Sequence, residues 1–332
     1  LHDDSAIQAA LVEVSLPAGG VAISMQSGTL GASLLRRARD LDLGLSWFVS
    51  LGDRSDISAN DLLLFWDDDQ FTRVIGLYTE TFGNPRKFAR IARRVSRSKP
   101  IVAVRTGAAA DGELGSALYQ QAGLIEVPTV HALLDTCRVL ESQPVLAGPR
   151  IAVVTNSASP GTLANAAMSM AGLEPVAVTD GLDWRAGVDD YRAAIADAVA
   201  DDSIDGVLVI YAPPVPAEEA VMGPTIAEGA AATQSKPVVA VMIGSGDGWV
   251  DGDGSVPSFA FPEQAVATMA ASLAYGRWLA TEANAAPMEA REVDPARAGE
   301  LVDSWLERAQ GDPEAGVHLD VEACCELLAS YG

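Results

Sequence analysis

Two six-residue stretches carry the side chains and backbone types that could hold an anion: Gln26-Ser27-Gly28-Thr29-Leu30-Gly31 and Asn156-Ser157-Ala158-Ser159-Pro160-Gly161. Each directly follows a short apolar, β-branched run (Val21 to Met25 and Ile151 to Thr155) and directly precedes a stretch that is apolar at helical spacing. A turn from a parallel strand into a helix presents unpaired backbone N–H groups and the positive end of a helix dipole. At the first turn Gly28 permits close approach, and the Ser27 and Thr29 hydroxyls can donate. Small residues are also what any such turn needs merely to bend, and that reading stands equally beside the anion-binding one. At the second turn the bare-turn reading is favoured, because Pro160 contributes no donor where the helix starts. Glu80 follows the apolar run ending at Tyr78, at the strand end where sheets carry functional carboxylates, although a solvated loop carboxylate has the same sequence signature.

Other chemistry has little material. The three histidines, His2, His131 and His318, lie far apart with no carboxylate at ligand spacing, so neither a zinc site nor a Ser-His-Asp constellation is expected. His131 reads as a structural residue of an amphipathic helix over 129–140. Asp67-Asp68-Asp69 lacks the glycine and terminal glutamate of a calcium loop and reads as a solvated helix end. Cys137, Cys324 and Cys325 have no CxxC spacing and are taken as reduced thiols. The six tryptophans are scattered and are assigned to packing.

The elements that position the two turns repeat. Val74 to Tyr78 pairs with Val207 to Tyr211, and Lys99-Pro100-Ile-Val-Ala-Val104 pairs with Lys236-Pro237-Val-Val-Ala-Val241, at an offset of about 130 residues, the size of a domain. Strands apolar on both faces, alternating with helical patterns, predict parallel sheets covered on both sides. A basic helix is expected over 86–95 and its counterpart over 191–200. The junction falls in the turn-rich segment 142–149, and the helix over 262–279 is followed by an Ala-, Glu- and Pro-rich linker and two short helices at 296–310 and 321–331. The fold class is therefore α/β, with two consecutive doubly wound domains at 16–144 and 145–283 and a helical tail at 284–332.

The 332 residues are 49% hydrophobic and 20% charged, enough for two cores, and the net charge of −23 disfavours nucleic acid as a partner. No apolar run approaches a spanning helix, and the N-terminus has no signal-peptide pattern, so a cytoplasmic protein with no membrane partner is expected. The chain stops immediately after a helix, as a piece of a longer protein would.

Seven short motifs occur in one order: Gly19 to Gly31, Val49-Ser-Leu-Gly-Asp53, Asp61-Leu-Leu, Tyr78-Thr-Glu80, Lys99-Pro100, Gln121-Ala-Gly123 and Phe261-Pro-Glu-Gln-Ala-Val266. Together, over roughly 16–278, they resemble the succinyl-CoA-ligase-like flavodoxin domains of NDP-forming acyl-CoA synthetases. The tail resembles the helix that opens an ATP-grasp domain in the same proteins. The resemblance implies a relay in which acyl phosphate, CoA and nucleotide communicate through a phosphorylated histidine. It implies phosphate-binding roles for Gln26, Ser27, Gly28 and Thr29 in the first turn and Asn156, Ser157 and Gly161 in the second, with Glu80 orienting the histidine. It also implies CoA or acyl-CoA and ATP/ADP as cofactors, held mainly by adjoining CoA-binding and ATP-grasp domains, an oligomeric assembly, and no metal in this chain.

Three departures accompany it. Where the family carries Ser-His-Thr-Gly, residues 107–121 contain no histidine. The second turn, usually Asn-x-Gly-Gly-x-Gly, is Asn156-Ser-Ala-Ser-Pro-Gly161, and Asn165 stands where the family has an aspartate. This pattern resembles the degenerate synthetase module fused to a GNAT domain in actinobacterial protein acetyltransferases, which implies a ligand-sensing or scaffolding role. The alternative is an active NDP-forming synthetase, converting acyl-CoA, phosphate and NDP to acid, CoA and NTP, with its phosphohistidine on a loop outside these residues.

Overall fold

Strands buried on both faces dictate the architecture. A computed structural model describes residues 14–52, 56–81, 84–106, 113–177, 182–213, 219–233, 235–251, 254–284, 294–308 and 319–331. The first sheet takes β1 (Ala18–Met25), β2 (Leu45–Ser50), β3 (Val74–Thr79), β4 (Ile101–Arg105) and β5 (Leu124–Glu126) in the order β2-β1-β3-β4-β5, all parallel. All six residues of β3 are buried, which suits a central strand with helices on both sides. On one face lie α2 (Ala59–Asp68), α3 (Pro85–Ser96) and α4 (Glu113–Ala122), whose Leu63, Trp66, Phe88, Ile91 and Tyr119 pack on Ile75, Leu77 and Ile101. On the other lie α1 (Gly28–Asp40) and α5 (Val130–Ser142), through Leu34, Leu35, Leu133 and Leu134.

The second sheet repeats the pattern. It takes β6 (Arg150–Thr155), β7 (Glu174–Ala177), β8 (Gly206–Tyr211), β9 (Val238–Met242), β10 (Gly248–Trp249) and β11 (Pro257–Phe259) in the order β10-β11-β9-β8-β6-β7. Omitting β10, the one antiparallel strand described, this is the order of the first sheet, and both are flavodoxin-like. Its helices are α6 (Ala158–Ala171), α7 (Val188–Ala200), α8 (Glu219–Ala231) and α9 (Pro262–Ala283). The helix after the second turn begins at Ala158, inside that turn, because Pro160 falls in its first turn, where a missing N–H breaks no intrahelical bond. The sequence reading did not find α8, which contains Pro224, or the β10–β11 pairing, which spans only two and three residues.

The two sheets belong to one compact unit, 1–283; a second unit, 284–332, holds α10 (Pro295–Arg308) and α11 (Val321–Ala329). Within the second unit, Asp320 caps α11 by accepting from the Ala323 N–H at 2.9 Å, and the Asp294 N–H donates to the Ser330 carbonyl at 2.8 Å. None of the described helices is long and apolar enough to cross a membrane.

In the first unit the sheets share helices. Val139 of α5 belongs to the core of the second sheet, and Tyr275 of α9 to that of the first. The Tyr275 hydroxyl donates to the Ser96 carbonyl at 2.6 Å, and a Cβ on Gly276 would lie 2.3 Å from the Leu146 carbonyl oxygen. The turn-rich junction is thereby pinned rather than loose. Leu146 is fully buried, its N–H donates to Ser272 Oγ, and the Gln143 amide bonds the backbone of Val238 and Ser255. Arg138, fully buried on α5, donates to the Gly248 and Ser258 carbonyls and lies 4.7 Å from the centroid of the Phe259 ring. Asp135, one turn earlier, is its ion-pair partner at 3.6 Å. Removing one member of a buried pair strands the other, so Arg138→Ala is expected to lower unfolding free energy by about 3–5 kcal/mol. Urea denaturation checks this, and a loss below about 1 kcal/mol, the scale of an exposed pair, would contradict it.

Candidate functional site

The first turn is a capped helix start. Ser27 is extended, its Oγ accepts from the Leu30 N–H at 3.4 Å, and its carbonyl accepts from the Gly31 N–H at 2.9 Å. The N–H groups of Gly28 and Thr29 have no hydrogen-bond partner among the described residues, and both residues are exposed. No carboxylate occupies the first turn of α1, so nothing competes with an anion for the helix dipole. Gln26 works differently. Its Oε1 accepts from the Glu80 and Thr81 N–H groups at 2.7 and 3.1 Å, and its Nε2 donates to the Thr81 carbonyl at 3.2 Å. The amide is spent joining the end of β1 to the end of β3. It fixes the Glu80 backbone beside the turn, and the half-buried Glu80 carboxylate makes no hydrogen bond or ion pair among the described residues.

Along the sequence repeat the second turn aligns with the first residue by residue, with Asn156 in the place of Gln26. Asn156 is 4% exposed, and its side chain bonds the Ala212 backbone twice, donating to the carbonyl at 2.9 Å and accepting from the N–H at 3.0 Å. Its own N–H donates to the buried Tyr191 hydroxyl, which donates in turn to the Ile210 carbonyl. Ser157 begins α6 without a side-chain cap bond, and its N–H donates to Thr155 Oγ1. Gly161 lies inside the helix rather than in the turn; its N–H goes to the Ser157 carbonyl, and a Cβ there would meet Thr155 Cγ2 at 3.1 Å. Gly31 does the same against the Phe48 ring. Both glycines let a helix approach its sheet, and the donors left at the second turn are the N–H groups of Ala158 and Ser159. The structure thus brings Gln26 to Glu80 and Asn156 to Ala212, while no described hydrogen bond joins one turn to the other.

The loop over 107–112, which separates β4 from α4, lies outside the described residues, as do His2 and His318. At its near end Arg105 is nearly buried and fixed by Glu126 and Ser116; Ser116 Oγ in turn donates to Glu126 at 2.6 Å. Sequence reasoning missed this triad, and also Tyr191 and Arg138. An arginine directly after the apolar positions Leu133, Leu134 and Cys137 was the one available signal. His131 is exposed near the start of α5. The acidic run ends α2 as expected, with Asp68 exposed, but its neighbours are not simply solvated: Asp67 pairs with Arg94, and Asp69 accepts from Trp47, Thr72 and the Phe71 N–H. Carboxylates at a helix C-terminus oppose the dipole and recruit donors. Trp184 is also not packed; it is 62% exposed beneath the Arg185 guanidinium. The three cysteines are free thiols, and no group of metal-ligating side chains occurs among the described residues.

With this geometry in view, residues 18–140 match the family model of the succinyl-CoA ligase-like flavodoxin domain, and the chain is similar to parts of ADP-forming acetate–CoA ligases. It is 27% identical over 310 residues to the alpha subunit of ADP-forming acetate–CoA ligase I of Pyrococcus furiosus, covering 79% of this chain and 65% of that subunit. It is 33% identical over 173 residues to the ADP-forming acetate–CoA ligase of Methanocaldococcus jannaschii, covering 48% of this chain and 24% of that protein. The fold is shared with the dinucleotide-forming acetyl-coenzyme A synthetase 1 of Candidatus Korarchaeum cryptofilum, solved in complex with phosphate and ADP. The TM-score is 0.72 at 24% identity, covering 82% of this chain and 68% of that one. The chain is homologous to the alpha-subunit portion of these synthetases and spans between about a quarter and two thirds of the curated relatives' length.

The two amides make a direct test. Asn156→Ala removes the buried side chain that bonds the part-buried Ala212 N–H and carbonyl and should cost about 1–3 kcal/mol of stability. Gln26→Ala, at a half-exposed site where water can replace the amide, should cost less than about 1 kcal/mol. Thermal unfolding of both variants checks the order.

Proposed function

We propose that this chain is a catalytically degenerate NDP-forming acyl-CoA synthetase module, with flavodoxin domains at 16–144 and 145–283. It serves as a ligand-sensing or scaffolding part of a cytoplasmic, multidomain GNAT protein lysine acetyltransferase. CoA or acyl-CoA and ATP/ADP are held mainly by adjoining CoA-binding, ATP-grasp and GNAT domains. The observation that carries the reading is chemical. The relay that the resemblance implies runs through a phosphorylated imidazole, and the segment from Gly107 to Gln121, which follows β4, contains no histidine, only aliphatic, amide, carboxylate and hydroxyl side chains that cannot carry a phosphoryl group in the same way.

The second turn supports it. Pro160 removes one backbone donor, and Asn156 spends its amide on Ala212, which leaves two N–H groups for a phosphate. The first turn would still bind an anion through Gly28 and Thr29, capped by Ser27, which is consistent with sensing a phosphate or CoA ligand without turning it over.

A second reading, an active synthetase, is favoured by the first turn itself. Gln26 holds the Glu80 backbone and leaves its carboxylate free to orient a histidine supplied from outside these residues. The experiment separating the two is to incubate the complete parent protein with labelled ATP or acetyl phosphate. The degenerate module stays unlabelled; stoichiometric, acid-labile phosphohistidine within it would overturn the proposal in favour of the active synthetase.

A further inference from the structure

In a chain of net charge −23, six of the 22 lysines and arginines fall between Arg86 and Arg97, a span with no carboxylate. They follow α3, which Asn84 caps by accepting from the Lys87 N–H and which opens on Pro85. The spacing puts Arg86, Arg90, Arg93 and Arg97 on one stripe, about 17 Å long at 1.5 Å per residue. Beside it runs a groove of about 670 Å³, the volume of a small-molecule site, lined by Lys87, Arg90, Arg93, Arg94 and Arg97 with Leu64, Ala89, Ile91 and Ala122 as the apolar part.

The arginines are held in a particular way. Arg93 and Arg97 both point Nε and Nη2 at Glu282, and Arg94 points Nε and Nη2 at Asp67. Hydrogen bonds from Arg93 and Arg97 keep the Glu282 carboxyl below its ordinary range, so it stays ionised. In each case one edge of the guanidinium is anchored and Nη1, with two N–H donors, is left over. Arg90 makes no ion pair or hydrogen bond among the described residues, and Lys87 no ion pair. Two carboxylates therefore fix three cations without neutralising the five.

We propose that the α3 groove binds an organic polyphosphate, with its phosphates on Arg90, Lys87 and the free Nη1 edges and its organic part on Leu64, Ile91 and Ala122. Fixed guanidinium groups match phosphate oxygens and stack on planar rings, and anchored side chains lose little entropy on binding. The overall negative charge repels long polyanions at a distance, whereas a small ligand meets only the local field of the stripe. Nucleotides and CoA share this chemistry. The groove is separate from the turns at Ser27 and Asn156, and the inference holds whether or not the module is degenerate.

The test is calorimetric titration of the full chain with ATP, ADP, CoA and pyrophosphate, alongside Arg90→Glu, Lys87→Glu and a control charge reversal, Arg192→Glu on α7. Saturable binding is expected, with ATP or CoA tighter than pyrophosphate; whichever binds tighter identifies the source. Arg90→Glu and Lys87→Glu should each weaken it at least about tenfold, the effect of a lost charge pair, with unfolding unchanged since both side chains are exposed. Arg192→Glu should change it less than about twofold, since that residue lies on α7, which packs on the second sheet and lines no part of the groove. No binding of any of the four, equal weakening by all three variants, equal affinity for pyrophosphate and ATP, or tighter binding of a single-stranded oligonucleotide would each overturn the proposal. So would loss of binding on Gly28→Val with Arg90→Glu unaffected, which would place the ligand at the first turn.

Discussion

One helix layer, shared by two sheets, holds the first unit together. A doubly wound sheet must be covered on both faces, and here α5 and α9, the equivalent last helices of the two repeats, cover their own sheets while lending Val139 and Tyr275 to each other's cores. That exchange cannot be undone without exposing both cores, so a duplicated domain becomes a single compact unit. Arg138 belongs to the same constraint. It is an expensive group to bury: the β10–β11 segment of the second repeat offers two carbonyls to Nη1 and Nη2 and two aromatic faces, Asp135 supplies the opposite charge, and Nε is left without a hydrogen-bond partner among the described residues. A cation from one repeat thus fixes a hairpin of the other.

The two turns show how duplication preserves geometry more faithfully than chemistry. Both place an amide where strand one meets strand three, both extend a serine before the helix, and both use a glycine six residues after the strand to let the helix settle on the sheet. These are demands of the fold. The groups that face outward are free of those demands, and there the turns diverge: Gly28 and Thr29 on one side, Ala158, Ser159 and Pro160 on the other. Each end leaves two backbone N–H groups unspent, and only the first offers a glycine to let an anion approach closely.

Charge is distributed with similar economy. The body is acidic, and its carboxylates are used locally: Asp67 and Asp69 gather donors around the end of α2, Asp205 takes Arg150 in a two-point pair, and Glu282 holds two arginines at once. The α3 stripe is the place where cations outnumber the carboxylates that position them, which makes it electrostatically distinct from the turns, where the positive potential comes from backbone dipoles alone.

The sequence by itself determined the strands, the repeat, the fold class and the positions of both turns, because burial on both faces leaves continuous β-branched runs and a strand-to-helix turn demands small residues. It also determined, through residue identity alone, that no histidine lies between Gly107 and Gln121. It did not show that Gln26 and Asn156 serve the backbone rather than a ligand, since an amide spent on a residue 55 or 56 positions away looks the same in sequence as a free one. Short or proline-bearing elements, β10, β11 and α8, left no periodic pattern to read. The acidic run looked like a solvated helix end until packing set Asp67 against Arg94, and nothing in the sequence set Glu282 against Arg93 and Arg97. Which polar groups are spent and which remain free depends on contacts between distant segments, and only the tertiary structure decides those.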